Sequence, residues 1–435
     1  MPLAPRLPSL RALRHRNFKL FFGGQLISLI GTWMQSVAQS WLVYSLTGST
    51  VLLGLVGFSS QFPVFLMAPI GGVVADGVDR HRVVIATQAC AMLLASILAA
   101  LTLSGHIEIW HVFVLASLLG VVNAFDIPAR QSFIVEMVGR EDLVNAIALN
   151  SSMVNGARLV GPAVAGVVVS LVGEGWCFAA NAVSYVAVIA GLLMMDVPKR
   201  VIRPDTDSPL RSIREGFTFV ATTPPVRSLM LLLGLVSLTG MPYATLMPVF
   251  ADRILGGGAG GLGLLMGMSG AGALVGALAL AAKRSLRGLG RWVAWSSAAF
   301  GVSLILFSLS RTFWLSALLL VPVGCSMMVQ MAASNTLIQS MVPDRLRGRV
   351  MSIYSMMFMG MAPFGALMAG ALAHRFDAPA TVAFGGGACL LGAAGFGFQL
   401  PAFRTAAREI ILALQPAGGD PPAASATGPI VVKEG

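Results

Sequence analysis

Long apolar stretches, separated by short polar segments, run along the chain. Crossing a bilayer core about 30 Å thick takes roughly 20 helical residues at 1.5 Å rise each. Barrel strands would be shorter and would alternate apolar and polar residues. We therefore predict an all-α integral membrane protein with twelve transmembrane helices, at about 18–46, 50–75, 83–104, 109–128, 143–172, 175–196, 226–251, 260–282, 291–310, 313–341, 350–374 and 379–399.

The longest interior polar stretch, residues 197–225, divides these helices six and six. Its second part has Leu210, Ile213, Phe217 and Val220 at helical spacing with arginines between them, which predicts a short amphipathic helix on the membrane surface. The expected organisation is a basic arm (1–17), a first six-helix bundle (18–196), the linker (197–225), a second bundle (226–400) and a mostly disordered tail (401–435).

The two halves resemble each other in sequence. LISLIG at 26–31 aligns with LVSLTG at 235–240, and QSFIVEMV at 131–138 aligns with NTLIQSMV at 335–342 at nearly the same separation. Two parallel six-helix repeats are one way in which large transporters are built, with the substrate path at the repeat interface.

Composition strengthens the membrane prediction. The 435 residues are 56% hydrophobic and 11% charged, whereas soluble domains carry about 25% charged residues. The mean hydropathy is +0.81. Too few polar side chains are present to cover a water-soluble globule of this size.

The charge pattern predicts orientation. The formal net charge is +11, and the 29 Lys and Arg residues fall on one side of the predicted bundle apart from Arg158, Arg253, Arg311 and Arg375. The positive-inside rule then places the arm, the linker and the tail in the cytoplasm, with the protein multi-pass in the plasma membrane, the inner membrane of a bacterium. Nucleic acid is excluded as a partner, because no soluble domain presents the basic residues.

Patterns typical of other functions are absent from the sequence. Cys90, Cys177, Cys325 and Cys389 lie singly in apolar runs, without metal or disulfide spacing. Neither a nucleophile–base cluster nor a Walker loop is present. We expect a monomeric non-enzyme without a metal or other cofactor, whose partners are a small-molecule substrate and the lipid bilayer.

The first predicted helix carries a polar stripe. Its members, at steps of three and four residues, are Gln25, Ser28, Thr32, Gln35 and Gln39. Such a stripe is unfavourable against hydrocarbon, so we expect it to line the substrate cavity. The alternative is hydrogen bonding between helices.

Arg158 lies near the middle of the fifth predicted helix, and Asn155 shares its face. A charge at the bilayer centre is costly and marks the protein interior or a wet cavity. One interpretation is a counter-charge for an anionic substrate or a coupling group. The other is a structural ion pair or an arginine bonded to backbone carbonyls.

The fourth predicted helix ends with Asn123, Asp126 and Arg130 on one face. Asp126 is the candidate for proton coupling, because desolvation can bring a carboxyl group into the titrating range. The alternative pairs it structurally with Arg130 or Arg158. On the tenth predicted helix, Gln330 and Ser334 are expected to face the same cavity as Asn123.

Three groups of residues resemble a known family. Gly72, Asp76, Arg80 and Arg82 in GVVADGVDRHR (72–82) resemble the loop signature of the major facilitator superfamily, with departures at Gly77 and Asp79. The fifth helix resembles an exporter motif of that superfamily; its matching residues are Ala157, Gly161, Pro162 and Gly166. FDIPARQSF (125–133), GREDLVNAIAL (139–149), NGARLVGP (155–162) and VPDRLRGRVMS (342–352) resemble the branch of siderophore exporters and macrolide-efflux proteins, the transmembrane secretion effectors.

The resemblance implies the major facilitator fold and a cytoplasmic gate. In similar transporters the aspartate at the position of Asp76 latches the halves, here toward Arg130 and the start of the eleventh helix near Arg347 and Arg349. The implied gate comprises Gly72, Asp76, Arg80, Arg82, Arg130, Arg347 and Arg349. Many proton antiporters carry an arginine four residues before a glycine in the fourth helix, where this chain has Ala116 before Gly120.

We therefore expect a secondary active transporter working by alternating access. The resemblance favours proton-coupled export of a small amphipathic molecule, such as a drug, a macrolide or a siderophore-like compound. The alternative is an importer or facilitator of a small organic solute without proton coupling, and a more distant one is a membrane protein without transport activity.

Overall fold

The computed structural model describes residues 10–139, 141–197, 209–283 and 288–414. The side chains at positions 68, 69, 73, 75, 76, 144 and 209–213 stand outside that description. Over these ranges the chain is helical almost throughout, and they contain no β-strand.

Six long helices form the first half of the structure. They are α1 (Arg16–Thr47), α2 (Thr50–Gly77), α3 (Arg80–Leu103), α4 (Ile109–Val138), α5 (Leu143–Val172) and α6 (Glu174–Leu193). α4 continues ten residues beyond its predicted end, through Pro128. Transmembrane helices tolerate such prolines because neighbouring groups satisfy the freed carbonyl, so Arg130 lies within α4.

The second half begins with α7 (Pro209–Thr222) and an irregular seventh span. This span joins α8 (Pro224–Leu235), a π turn at Val236–Gly240, a 3-10 turn at Met241–Ala244, α9 (Met247–Val249) and a second π turn at Phe250–Ile254. The sequence predicted one continuous helix here. Pro242 and Pro248 lack the N–H that an α-helix requires, which accounts for interruptions at this point.

The remaining helices complete the second half. They are α10 (Gly258–Ala281), α11 (Leu289–Leu309), α12 (Phe313–Met341), α13 (Asp344–Met359), α14 (Ala362–Phe376) and α15 (Ala378–Leu414). α13 and α14 together form one span, interrupted at Gly360 and Met361. α15 extends beyond the predicted twelfth span, through Pro401.

Eleven spans of the described chain are long and apolar enough to cross a membrane. α1 is not among them, because its polar stripe lowers its average hydropathy. It is nevertheless 32 residues long and packs against α5 and α6 inside the bundle. The architecture is therefore consistent with the predicted twelve helices.

Helix contacts follow a pseudo-two-fold pattern. α2 packs on α4 and α3 on α6 in the first half, as α10 packs on α12 and α11 on α15 in the second. Between the halves, α5 packs on α10 and α2 on α14. An even number of spans brings the start of α1 and the end of α15 to one side, the termini face; the other side is the opposite face.

Glycines bring helix backbones into direct contact within each half. A Cβ atom placed on Gly324 of α12 would lie 1.8 Å from the carbonyl oxygen of Ser269 in α10. One placed on Gly272 of α10 would lie 1.9 Å from the carbonyl oxygen of Val321. Since lipid tails are as apolar as the helices, such close packing is a main source of helix association in a membrane.

Gly324→Ala should therefore lower the melting temperature of the purified protein, because α10 and α12 must separate to admit the methyl group. Overpacking of this kind costs about 1–3 kcal/mol. Gly395→Ala is the matched control, since a Cβ atom there meets nothing within 4 Å. Equal melting temperatures for the two variants would contradict the backbone contact.

Candidate substrate cavity and gates

Hydrogen bonds close the bundle at the opposite face. The Tyr44 hydroxyl at the end of α1 donates to Asp252 Oδ2 in the seventh span, at 3.0 Å. Arg253 donates from Nη2 to the carbonyl oxygen of Gly48 at 3.3 Å, and its guanidinium lies 5.8 Å from the centroid of the Tyr44 ring. Both contacts join the first half of the chain to the second.

A second contact at the same face joins α2 to α14. The Thr50 hydroxyl donates to the carbonyl oxygen of Gly370 at 3.1 Å. A Cβ atom on Gly54 would lie 2.6 Å from the carbonyl oxygen of Ala366, so the helices are in backbone contact. The sequence analysis did not predict this closure. The feature that could have indicated it is the charged pair Asp252–Arg253, directly after an apolar span.

The predicted exporter motif lies where α5 meets two neighbours. Gly161 lets α1 approach, since a Cβ atom there would lie 2.5 Å from Trp33 Cβ. Gly166 lies against α10 of the other half, where a Cβ atom would be 2.9 Å from the Cα of Gly263. Ala157 is fully buried, and Pro162 lies within the helix between the two glycines. The motif thus builds the α5–α10 interface between the halves.

Arg158 lies at this interface and is partly buried. Its guanidinium carbon is 5.4 Å from the centroid of the Trp33 ring, and Nη2 is 3.9 Å from Met327 Sδ on α12. Gly270 of α10 packs against the Arg158 backbone. Among the described residues no carboxylate pairs with Arg158. On insertion scales an arginine at the bilayer centre costs about 2.5–3.5 kcal/mol, and this one has no anion to offset it.

The polar stripe of α1 divides between two environments. Gln25, Ser28 and Gln35 are buried, and Gln35 Oε1 accepts a hydrogen bond of 2.7 Å from Asn181 of α6. That bond is the helix-to-helix alternative left open by the sequence. Thr32 is exposed and Gln39 is partly exposed, so these two are the members of the stripe that can face a cavity.

Asp126 is buried between α4 and α3. Its Oδ1 accepts from the Thr87 hydroxyl and from Gln88 Nε2, both at 2.9 Å. Its Oδ2 lies 3.2 Å from Arg130 Nε, one turn along α4. Both carboxylate oxygens are therefore engaged, and Oδ2 makes the pairing with Arg130 that the sequence left as the alternative to proton coupling.

The other predicted cavity residues differ in exposure. Asn123 and Asn155 are partly exposed, and the Asn155 amide donates to the carbonyl oxygen of Ser151 at 2.9 Å. Gln330 and Ser334 of α12 are fully buried, and their Nε2 and Oγ atoms have no hydrogen-bond partner among the described residues. Their side chains retain unused hydrogen-bonding capacity in the interior.

Exposed polar residues also follow the termini-side parts of two helices. They are Ser151 and Ser152 on α5 and Thr336 and Gln339 on α12. Polar groups in spanning segments are placed toward protein cavities rather than lipid. Sequence reasoning missed Thr336 and Gln339, although both lie within the aligned stretch NTLIQSMV.

The predicted gate residues near α2 and α3 are partnered within the first half. Arg80 donates to Glu136 Oε1 at 3.0 Å, across to α4. Arg82 Nε lies 3.5 Å from Asp79 Oδ2, an exposed pair at the start of α3. A Cβ atom on Gly72 would meet nothing within 4 Å. The Asp76 side chain lies outside the described residues.

The gate arginines of α13 lie beside the linker helix. Arg349 pairs with Glu215 of α7, and Arg345 Nη1 lies 3.3 Å from the same carboxylate. A Cβ atom on Gly216 would lie 3.2 Å from Arg349 Cβ, so α7 packs directly on α13. Arg347 pairs with Asp344 in the first turn of α13.

Two related six-helix halves, closed together at one face and with Arg158 where they meet, place the chain among polytopic membrane proteins built from two repeats. The chain belongs to the transmembrane secretion effector family, whose model matches residues 8–433. It is a membrane transporter of the major facilitator type, and the resemblance found in the sequence is confirmed.

Three relatives illustrate the family. The staphyloferrin A transporter of Staphylococcus aureus is 28% identical over 82% of this chain and 90% of its own length. The enterobactin exporter EntS of Shigella boydii is 24% identical over 82% and 85%. Macrolide efflux protein A of Streptococcus pyogenes is 22% identical over 83% and 91%.

The fold is shared with solved transporters. The crystal structure of a mutant of the nucleoside transporter NupG superposes with a TM-score of 0.69 at 15% identity, covering 88% of this chain and 98% of that one. The predicted fold class is thereby confirmed.

Asp126→Asn should destabilise the protein, because it removes the charge that three donors surround and leaves Arg130 without its ion-pair partner. Arg130 is partly exposed, so we expect a cost of about 1–2 kcal/mol, seen as a lower melting temperature. Asp344→Asn makes the same change in an exposed pair and should cost less than about 1 kcal/mol. Equal shifts would contradict the structural role of Asp126.

Proposed function

We propose that this protein is a secondary active exporter of a small amphipathic organic molecule, working by alternating access between its two halves. The observation that carries the proposal is the pair of glycine-lined contacts that join the halves, α2 on α14 and α5 on α10, with Arg158 at the second of them. Relatives named as an enterobactin exporter and a macrolide efflux protein support the direction.

The termini face is the cytoplasmic side in this proposal. Lys and Arg residues concentrate there, as the positive-inside rule requires, and the protein is multi-pass in the bacterial inner membrane. The hydrogen bonds that close the opposite face support our assignment of the structure to a cytoplasm-open state. Exposed Ser151 and Thr336 then line the vestibule through which substrate enters.

In this proposal, transport requires the opposite face to open and the termini face to close. The bonds of Tyr44 and Thr50 across the halves break, and a latch forms on the cytoplasmic side between Asp76 and the start of α13, near Arg347 and Arg349. The positive end of the helix dipole favours an aspartate there. Arg349 must then exchange its contact with Glu215 for one across the halves.

Proton coupling through Asp126 stays a prediction of the proposal. Protonation would remove the charge that holds Arg130, so a proton could exchange with that ion pair during the cycle. An importer or facilitator without proton coupling is the alternative, and vesicle transport separates the two.

Everted membrane vesicles containing the protein should accumulate the compounds to which a deletion strain becomes sensitive, when an inside-acid gradient is imposed. An uncoupler should abolish the accumulation. Asp126→Asn should reduce it to the level without a gradient, whereas Asp196→Asn, a change at an exposed aspartate after α6, should leave it unchanged.

Each outcome addresses one part of the proposal. No accumulation of any compound contradicts export, and accumulation indifferent to the uncoupler contradicts proton coupling. Full gradient-driven accumulation by Asp126→Asn contradicts the choice of residue while leaving coupling intact.

Two variants should shift the conformational equilibrium in opposite directions. Thr245 lies 3.9 Å from a Cβ atom placed on Gly57, across the interface between the halves. A cysteine substituted at Thr245 should therefore react with an impermeant maleimide when the opposite face opens. Tyr44→Phe removes a hydrogen bond that contributes about 1 kcal/mol, so labelling should rise roughly fivefold. Asp76→Asn weakens the cytoplasmic latch, so labelling should fall.

Tyr354→Phe is the matched control for the first variant. It removes a hydroxyl that donates to the carbonyl oxygen of Met331 within the second half, and labelling should not change. Unchanged labelling in Tyr44→Phe and Asp76→Asn would argue against gates at these positions.

A further inference from the structure

The positive charge of Arg158, which lies between the halves, bears on the charge of the substrate. We propose that Arg158 binds the anionic group of the transported molecule, so that the substrate class is a small amphipathic anion with an aromatic or apolar body. This inference rests on the proposed transport function and adds to it the charge of the substrate.

Three elements from both halves surround the guanidinium. Trp33 of α1 presents its ring face, with the guanidinium carbon 5.4 Å from the ring centroid. Met327 of α12 presents its sulfur 3.9 Å from Nη2. Tyr243 of the seventh span lies within electrostatic reach of Arg158, and its hydroxyl bonds Ser269 Oγ of α10 at 2.8 Å. The surface beside the charge is therefore aromatic and polarisable.

A purely structural arginine would have different neighbours. In an apolar interior a guanidinium is stabilised by carboxylates or backbone carbonyls, whereas the described partner of this one is a thioether, which is a weak acceptor. Two acidic side chains described within the spans are engaged elsewhere: Asp126 with Arg130, and Asp252 with Tyr44. The guanidinium retains donors in its planar fork for a carboxylate or similar anion.

Polar residues lie on α5 between Arg158 and the termini face. Asn155 lies about one turn from Arg158 along α5 toward the termini face, and the exposed Ser151 lies a further turn along. Both are neutral, so they hydrate a path without trapping an anion before it reaches Arg158. A cationic molecule would instead meet like charge at the end of the path.

Paired fluorescent probes test the inference. Dansylglycine carries a carboxylate, and dansylglycinamide is its neutral counterpart with the same aromatic body. With purified full-length protein, energy transfer from tryptophan to the bound dansyl group gives the affinity of each probe. We expect the wild type to bind the carboxylate about tenfold to a hundredfold more tightly, as for a hydrogen bond to a charged group.

Variants test whether Arg158 is the residue that makes the carboxylate probe bind more tightly than the amide. Arg158→Gln should abolish this preference with the amide still bound, and Arg158→Lys should keep part of it, because lysine retains the charge without the fork. Arg375→Gln, an arginine at the end of α14, should behave as wild type. Trp33→Phe should reduce energy transfer while the preference for the carboxylate remains.

The inference is overturned if the wild type binds both probes equally or neither at millimolar concentration, or if Arg158→Gln keeps the preference. Uptake of both probes into everted vesicles at equal rates would also overturn it, while leaving the transport function standing. A preference that depends on Arg158, without uptake of any compound under any gradient, would support the anion site and count against the proposed function.

Discussion

A charge placed inside a bilayer must be compensated by the protein, since lipid offers neither water nor counter-ion. Most charged groups of the described spans meet this requirement with fixed neighbours. Asp126 is held by Thr87, Gln88 and Arg130, and Asp252 by Tyr44. Arg158 does not, and it lies where the two halves meet. The distinction separates charges paired with fixed neighbours from Arg158, which pairs with no carboxylate among the described residues.

Glycines bring backbones into contact at the interface between the halves, beside rings such as Phe364 of α14 against Phe62 of α2. Gly166 against Gly263, and Gly54 against Ala366 and Gly370, bring main chains into contact. Small residues let the two main chains approach closely at these positions. Within each half, glycines also bring main chains into contact, as Gly324 does against Ser269. Glycine thus serves the contacts within each half and the contacts between the halves.

Long-range periodicity predicted the spans well, because apolar length is a direct requirement of the bilayer. α5 and α12 begin and end where the sequence placed them, and Gly173, with φ of 92°, ends α5 at the predicted residue. The irregular seventh span was not predicted, since a mean hydropathy is insensitive to where Pro242 and Pro248 interrupt hydrogen bonding. The residues that close the opposite face were not predicted, for another reason. Tyr44 and Asp252 are far apart in the chain, and only the folded arrangement makes them neighbours. For Asp126 the sequence named both candidate roles, and the choice of partner depended on three-dimensional geometry.

None of the hydrogen bonds described at the opposite face joins two fully charged groups. Tyr44 to Asp252 joins a neutral donor to a charged acceptor, Arg253 to Gly48 joins a charged donor to a neutral acceptor, and Thr50 to Gly370 is neutral on both sides. Dissolved salt screens the attraction between two full charges far more than it weakens contacts of this kind. The strength of these contacts therefore depends little on ionic strength.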